Sequence, residues 1–181
     1  MRYAALLRGV NVGGKNKIAM ADLVLSLETL GFTEVSTLLN SGNAVFTAAG
    51  TAQSIAQKIE AALVQSFQFD SELIKVLVLS QKDIKRVIDQ APKNFGSQPD
   101  TYYSDVVFLI DFPTEEAFAE TECNPEVDSA WRGEGVIYYQ RLGEGRTRSR
   151  LGKIIAKPVY KSMTIRTFNT VKKLYQRTSE V

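Results

Sequence analysis

The sequence contains no histidine and a single cysteine, Cys123, among its 181 residues. Without histidine there is no Ser-His-Asp triad, no histidine general base and no histidine metal ligand. A lone cysteine makes neither a disulfide within these residues nor a multi-thiolate metal site. We therefore expect no metal and no cofactor. Whether the protein is an enzyme stays open, and an enzyme would have to move protons with carboxylates, lysine, tyrosine or bound water.

Long hydrophobic runs are also missing. No apolar stretch approaches the ~18 residues that span a membrane. The run Tyr3–Leu7 is shorter than the apolar region of a signal peptide, which has about 7–15 residues. Since hydrophobic residues make up 44% of the chain and charged residues 23%, the composition is that of a folded globular protein. With its unpaired cysteine, the sequence predicts a cytoplasmic protein without a membrane partner.

The net charge of +2 hides an uneven distribution. Residues 1–140 carry 11 basic and 18 acidic side chains, a net charge of −7, whereas residues 141–181 carry 11 and 2, a net charge of +9. The basic segment either neutralises the acidic part within the fold or binds a polyanion such as nucleic acid. We favour neutralisation, because runs of charge are usually solvated surfaces, and keep nucleic-acid binding as the alternative.

The apolar patterns of the first half predict the order strand, helix, strand, strand, helix, strand. This is the split βαβ, or ferredoxin-like, order, and the tight connection Asn40–Asn43 joins its middle strands as a hairpin. The predicted elements are strands at Tyr3–Arg8, Val35–Leu39, Ala44–Thr47 and Leu73–Leu79, and helices at Met20–Leu30 and from Thr51 to about Phe67.

The second half predicts a similar but incomplete order. Beyond a boundary at Pro92–Pro99 we expect a strand, a short acidic helix, a hairpin of two strands and a final helix at Met163–Gln176. The fold class is therefore α+β. We expect two ferredoxin-like halves, 1–92 and 99–181, packed in one compact unit, the second half being a βαββα arrangement with a basic helical tail. The oligomeric state stays open.

The loop after the first strand carries the strongest functional signal. Arg8–Asn16 contains three glycines and is followed by a helix, so its backbone N–H groups can point at an anion near the cations Arg8 and Lys15. Gly9, Gly14 and Lys15 match a P-loop up to its last position, where Asn16 replaces the hydroxyl that holds Mg²⁺. The predicted hairpin also breaks the parallel strand order that a P-loop fold needs.

A different arrangement fits the strand order better. Ferredoxin-like acylphosphatases bind phosphate in the loop after the first strand and position water with an asparagine on the next strand. Asn40 lies near the end of the second predicted strand here, although this similarity concerns arrangement and not sequence. A plain structural turn is the alternative for the loop.

Several segments together resemble one known family. The segments are LLRGVNVGG at Leu6–Gly14, Met20, LGF at Leu30–Phe32, NSGNAVF at Asn40–Phe46 and TIRTFNTVKKL at Thr164–Leu174. They look like the bacterial domain-of-unknown-function 1697 family. Its closing motif usually reads Arg-Asn-Trp-Asn-Thr, and this chain departs from it at Thr167 and Phe168. The resemblance implies an α+β architecture related to tandem ferredoxin-like halves, and it implies no reaction.

The final predicted helix places Arg166, Asn169, Thr170 and Lys173 on one face, where they could meet a phosphate or carboxylate or could form an ordinary exposed polar face. We expect Trp131 in the core. The sequence thus predicts a small anionic, phosphate-bearing ligand at the glycine-rich loop, with catalytic residues unspecified. The predicted ligand-binding residues are Arg8, Gly9, Asn11, Gly13, Gly14, Lys15, Asn40, Asn43, Arg166 and Asn169.

Overall fold

A computed structural model describes residues 1–11, 16–40, 42–67, 69 and 74–179. Within these residues the fold is α+β, as predicted, with two four-stranded antiparallel sheets and helices. The chain divides into two compact units: Met1–Lys85 with Leu174–Val181, and Arg86–Lys173. Each sheet has its own hydrophobic core, which accounts for the division. The halves 1–92 and 99–181 stay a prediction as folding domains.

The first unit contains the sheet with strand order β2-β3-β1-β4. Strand β1 runs through its middle, and residues 3–7 are all buried, as expected for a strand covered on both faces. The aromatic rings of Phe32 and Phe46 stack in the core with centroids 4.7 Å apart. Its elements are β1 (Arg2–Arg8), α1 (Met20–Thr29), β2 (Thr33–Thr37), β3 (Asn43–Thr47), α2 (Ala52–Phe67), β4 (Lys75–Ser80) and the start of α3 (Gln81–Asp89).

Hydroxyl side chains cap two of these helices. Before α2, the Ser54 amide donates to Thr51 Oγ1 at 3.2 Å and the Thr51 amide donates to Ser54 Oγ at 3.1 Å. Before α3, the Asp83 amide donates to Ser80 Oγ at 3.2 Å, while Asp83 Oδ2 accepts from the Ser80 amide at 3.0 Å. Both helices therefore begin with reciprocal capping, which satisfies amide groups that a helix leaves without partners.

The second unit contains the sheet with strand order β6-β7-β5-β8. Counted within the unit, this is the order of the first sheet. Its elements are β5 (Tyr102–Leu109), α4 (Thr114–Ala119), β6 (Asp128–Arg132), β7 (Val136–Leu142), β8 (Met163–Thr167) and α5 (Phe168–Ser179). Segments of 3₁₀ helix at Gly143–Arg148, Leu151–Ala156 and Pro158–Ser162 lie between β7 and β8.

The prediction of an incomplete second half is wrong, because residues 163–167 form the strand β8 and not the start of the last helix. This strand pairs antiparallel with β5, with Ile165 opposite Val107. Threonine and isoleucine favour a strand here, and the Thr170 amide donates to Thr167 Oγ1 at 3.2 Å to cap α5. Ile165 and Phe168, three positions apart, imitated a helical apolar stripe.

Candidate functional site

The loop between β1 and α1 turns sharply on two residues with left-handed backbone conformation. Gly9 has φ of 81° and Asn11 has φ of 55°. The buried Val10 between them anchors the turn in the core. Gly13, Gly14 and Lys15 lie outside the described residues, so their predicted role as anion donors stays a prediction.

Asn11 is the structural centre of this loop. Its Oδ1 accepts a hydrogen bond from the Ile18 amide at 2.9 Å, and its Nδ2 donates to the Ile18 carbonyl at 3.0 Å. The same Nδ2 donates to the carbonyl of Asn40 at 3.2 Å, and the Asn11 amide donates to the carbonyl of Asn16 at 3.1 Å. The side chain that was predicted to contact a ligand therefore holds the two ends of the loop together.

The hairpin between β2 and β3 packs against the same loop. The Leu7 amide donates to the Gly42 carbonyl at 2.8 Å, and a Cβ at Gly42 would lie 2.6 Å from Val10 Cγ2. Asn43 is fully buried and its Nδ2 donates to the Leu38 carbonyl at 2.9 Å, so this amide serves the hairpin. Ser41 lies outside the described residues. The structure thus brings together two segments that the sequence analysis singled out separately.

An open cavity of about 410 Å³ lies where the loop meets α1. Its described lining residues are Asn11, Lys17, Ile18 and Ala19. Ala19 is the N-cap of α1 in extended conformation, and no side chain caps the helix there. The first amide groups of a helix carry partial positive charge, which is strongest where no side chain accepts from them. Sequence reasoning could have found this feature, because alanine stands where a capping residue is usual.

Arg166 and Asn169 belong to the second unit. Arg166 lies in β8 with 8% of its surface exposed, and its Nη1 donates to Thr164 Oγ1 and to the Ile165 carbonyl, both at 2.8 Å. Burial lowers the pKa of this guanidinium to about 10. Asn169 is exposed on α5. The predicted helical face that joins Arg166 to Asn169 is therefore wrong, because the two residues lie on different elements.

Comparison with known proteins identifies the family. The profile of a protein family of unknown function, DUF1697, matches residues 1–138. The chain belongs to the DUF1697 family. A conserved bacterial protein from Streptococcus pneumoniae has a similar solved structure, with a TM-score of 0.82, 28% sequence identity and coverage of 98% of both chains. No curated protein matches the sequence.

The basic C-terminal segment of this DUF1697 protein pairs with carboxylates of its own unit. Arg141 forms an ion pair with Asp105, and Arg148 forms one with Glu126. Lys153 Nζ lies 3.2 Å from a carboxylate oxygen of Glu122. These pairs favour the interpretation that the segment neutralises the acidic part of the chain, and they leave the nucleic-acid alternative without structural support.

The described residues of the DUF1697 chain offer little support for a metal site or a thiol nucleophile. Within the described ranges, histidine, cysteine, aspartate and glutamate form no group of three that could hold a metal ion. Cys123 is half-buried, and burial raises the pKa of its thiol, which makes it a poor nucleophile. None of the described helices is long and apolar enough to cross a membrane.

Proposed function

We propose that this DUF1697 protein binds a small phosphate-bearing anion in the cavity at the start of α1. The observation that carries the proposal is the conjunction of the cavity, the uncapped N-cap residue Ala19 and the cation Lys17 in its lining. Exposed backbone amides with a nearby ammonium are the donor set that proteins use for phosphate.

The contrast with the other helices of the first unit supports this choice. Thr51 caps α2 by accepting from the Ser54 amide, and Ser80 caps α3 by accepting from the Asp83 amide, so one first-turn amide of each of those helices is already used. At α1 the first turn keeps its donors for water or for a ligand. An anion there gains from the helix dipole, by typically 0.3–1 kcal/mol at an exposed site.

The contacts at the described ends of the loop support a preformed site. Asn11 ties the loop to Ile18 and to Asn40 through three hydrogen bonds of 2.9–3.2 Å. A loop that is held in place before binding loses less conformational entropy when the ligand arrives. In this proposal Asn11 positions the loop, and Gly13, Gly14 and Lys15 supply further donors. Arg166, Asn169 and the buried Asn43 have no part in it.

We also infer that both units are ferredoxin-like. Each has a four-stranded antiparallel sheet in which the third strand lies between the second and the first, and the fourth strand lies on the other side of the first. This is the strand order of the split βαβ arrangement. Binding at the loop after the first strand is then a fold-level analogy with other ferredoxin-like proteins, and the site geometry carries the proposal.

The test is a calorimetric titration of the full chain with inorganic phosphate. Lys17→Ala should weaken phosphate binding about fivefold, because losing one cation near a surface site costs on the order of 1 kcal/mol of binding free energy. Lys58→Ala is the matched control, because Lys58 is exposed on α2 and does not line the cavity. The proposal is wrong if phosphate does not bind at millimolar concentration, or if both variants bind it as tightly as the original chain.

A further inference from the structure

We infer that the second unit holds a binding site for a single nucleobase, in a cavity of about 240 Å³ beside Trp131. This site is distinct from the proposed anion site, which lies in the first unit. The volume is below the roughly 300 Å³ at which pockets for drug-sized ligands begin, so one ring system fits and a dinucleotide does not. The walls are formed by the loop 92–98 and by one face of the sheet.

Three aromatic side chains line this cavity, Phe95, Tyr102 and Trp131, and the last two are accessible to solvent. Trp131 on β6 is 37% exposed, contrary to the expectation that it lies in the core, and Tyr102 on β5 is half-buried. The indole stands edge-on to the buried Phe95, with ring centroids 6.1 Å apart and an interplanar angle of 85°. Phe95 also packs against the ring of Phe168. A solvent-exposed indole braced on a buried ring is a rigid surface on which a planar base can stack.

Amide side chains supply the polar part of the lining. Gln140 lies on β7 between Ser129 and Ser104 of the neighbouring strands, and its Nε2 donates to Ser104 Oγ at 3.0 Å, which fixes the plane of the amide. Asn94 and Gln98 add two more amides from the loop. A primary amide presents a donor and an acceptor side by side, which is the pattern that pairs with the edge of a base.

The loop that closes the cavity is held in one conformation. Asn94 and Gly96 have φ of 66° and 70°, and a Cβ at Gly96 would lie 2.6 Å from Phe168 Cδ1. The carbonyl of Asn94 accepts both from the Ser97 amide at 3.1 Å and from Ser97 Oγ at 2.8 Å. Residues in sparsely populated backbone conformations cluster at binding sites, where the surrounding structure holds them. The cavity is therefore preformed.

The choice of a nucleobase over a sugar follows from the lining. Its described residues include no carboxylate, and Lys93 is the charged residue among them. Three aromatic rings and three amides match a flat heterocycle with alternating donors and acceptors, and Lys93 can meet a phosphate carried by the same nucleoside.

Trp131 is the only tryptophan in the sequence, so tryptophan fluorescence reports on this cavity alone. We expect saturable quenching when the full chain is titrated with adenosine, guanosine, cytidine or uridine, and none with methyl glucoside. Gln140→Leu and Gln98→Leu should each weaken binding about tenfold, the usual worth of a good amide–base contact. Gln176→Leu, at an exposed position on α5, should leave binding unchanged.

Four outcomes would overturn the inference. Three concern the titrated compound: no nucleoside quenches saturably, methyl glucoside alone quenches, or a single-stranded hexanucleotide quenches while no nucleoside does. In the fourth, both lining variants bind the nucleosides as tightly as the control variant does. The Gln98 side chain projects from a loop, so Gln98→Leu gives a reading even if Gln140→Leu unfolds the protein, which circular dichroism would reveal. Phosphate binding at α1 should be the same in all these variants.

Discussion

The side-chain amide of Asn11 donates to the backbone carbonyl of Asn40, 29 positions further along the chain, at 3.2 Å. This contact joins the loop after β1 to the hairpin between β2 and β3. The two segments lie within residues 1–138, which the DUF1697 family profile matches. Asn11 and Gly42 are explained first by the packing of these segments, since a hydrogen bond from Asn11 to Asn40 and the close approach of Gly42 to Val10 hold them together.

Replacing Asn11 should therefore destabilise the first unit. Asn11→Ala removes three side-chain hydrogen bonds and leaves a β-carbon at φ of 55°, which should lower the free energy of unfolding by about 2–4 kcal/mol. Asn11→Gly loses the same bonds but tolerates the positive φ, so it should cost about 1 kcal/mol less. Urea denaturation measures both values. Equal stability of Asn11→Ala and the original chain would contradict the bracing role.

Among Gly42, Gly135 and Gly152, we expect substitution by alanine to cost the most stability at Gly42. At Gly42 an added Cβ lies 2.6 Å from Val10 Cγ2 and φ is 70°, whereas at Gly135 φ is 72° with nothing within 4 Å. At Gly152 there is neither a close atom nor a positive φ. Substitution by alanine should cost more than about 2 kcal/mol at Gly42, about 1 kcal/mol at Gly135 and nothing measurable at Gly152. Thermal unfolding of the three variants checks the order, and any other ranking would contradict the contact.

The sequence was sufficient for the first unit because each element has a clear local pattern. The continuous apolar run of β1 predicts a buried central strand, and the side chains of Thr51 and Ser80 mark the starts of α2 and α3. It failed at Met163–Thr167, where Ile165 and Phe168 imitate a helical spacing. This segment is a strand because it pairs with β5, more than fifty residues earlier. The residues of the segment itself give no sign of such a distant partner.

That the glycine-rich loop forms a binding site stays a prediction, and the roles of its side chains could not be predicted. The glycine-rich loop and the hairpin do lie together, yet the side-chain amides of Asn11 and Asn43 donate hydrogen bonds to backbone carbonyl groups. Composition cannot distinguish a ligand-binding amide from a structural one, because both need the same donor. The prediction that Trp131 lies in the core is wrong, because its side chain is 37% exposed and lines a cavity beside the loop 92–98.

A capping side chain at the start of α1 should have opposite effects on stability and on the proposed phosphate binding, raising the first and weakening the second. Ala19 has the extended backbone, φ of −71° and ψ of 144°, that an N-cap residue adopts. Ala19→Asn and Ala19→Asp should each raise the free energy of unfolding by about 1 kcal/mol. Ala19→Asp should also weaken phosphate binding about fivefold or more through charge repulsion, while Ala19→Asn should weaken it less. Stabilised variants that bind phosphate unchanged would contradict a site at these amides.

The carboxylate of Asp128 should make stability depend on pH in the acidic range. Asp128 is buried, and its Oδ2 accepts from the amides of Asn124 at 2.9 Å and Arg150 at 2.8 Å. Burial alone would raise the pKa of this group, but these backbone hydrogen bonds, together with those from the Ser149 and Tyr139 side chains, outweigh it and lower the pKa below its usual value of 3.8. The stabilisation is therefore present above pH ~4 and is lost as the pH falls through the lower pKa of the folded state.

Asp128→Asn should be less stable at pH 7 and should lose less stability on acidification, whereas Asp100→Asn, at an exposed position, should follow the original chain. Parallel urea titrations at pH 7 and pH 3 measure the difference, and identical acid losses in the Asp128 variant and the original chain would contradict this assignment.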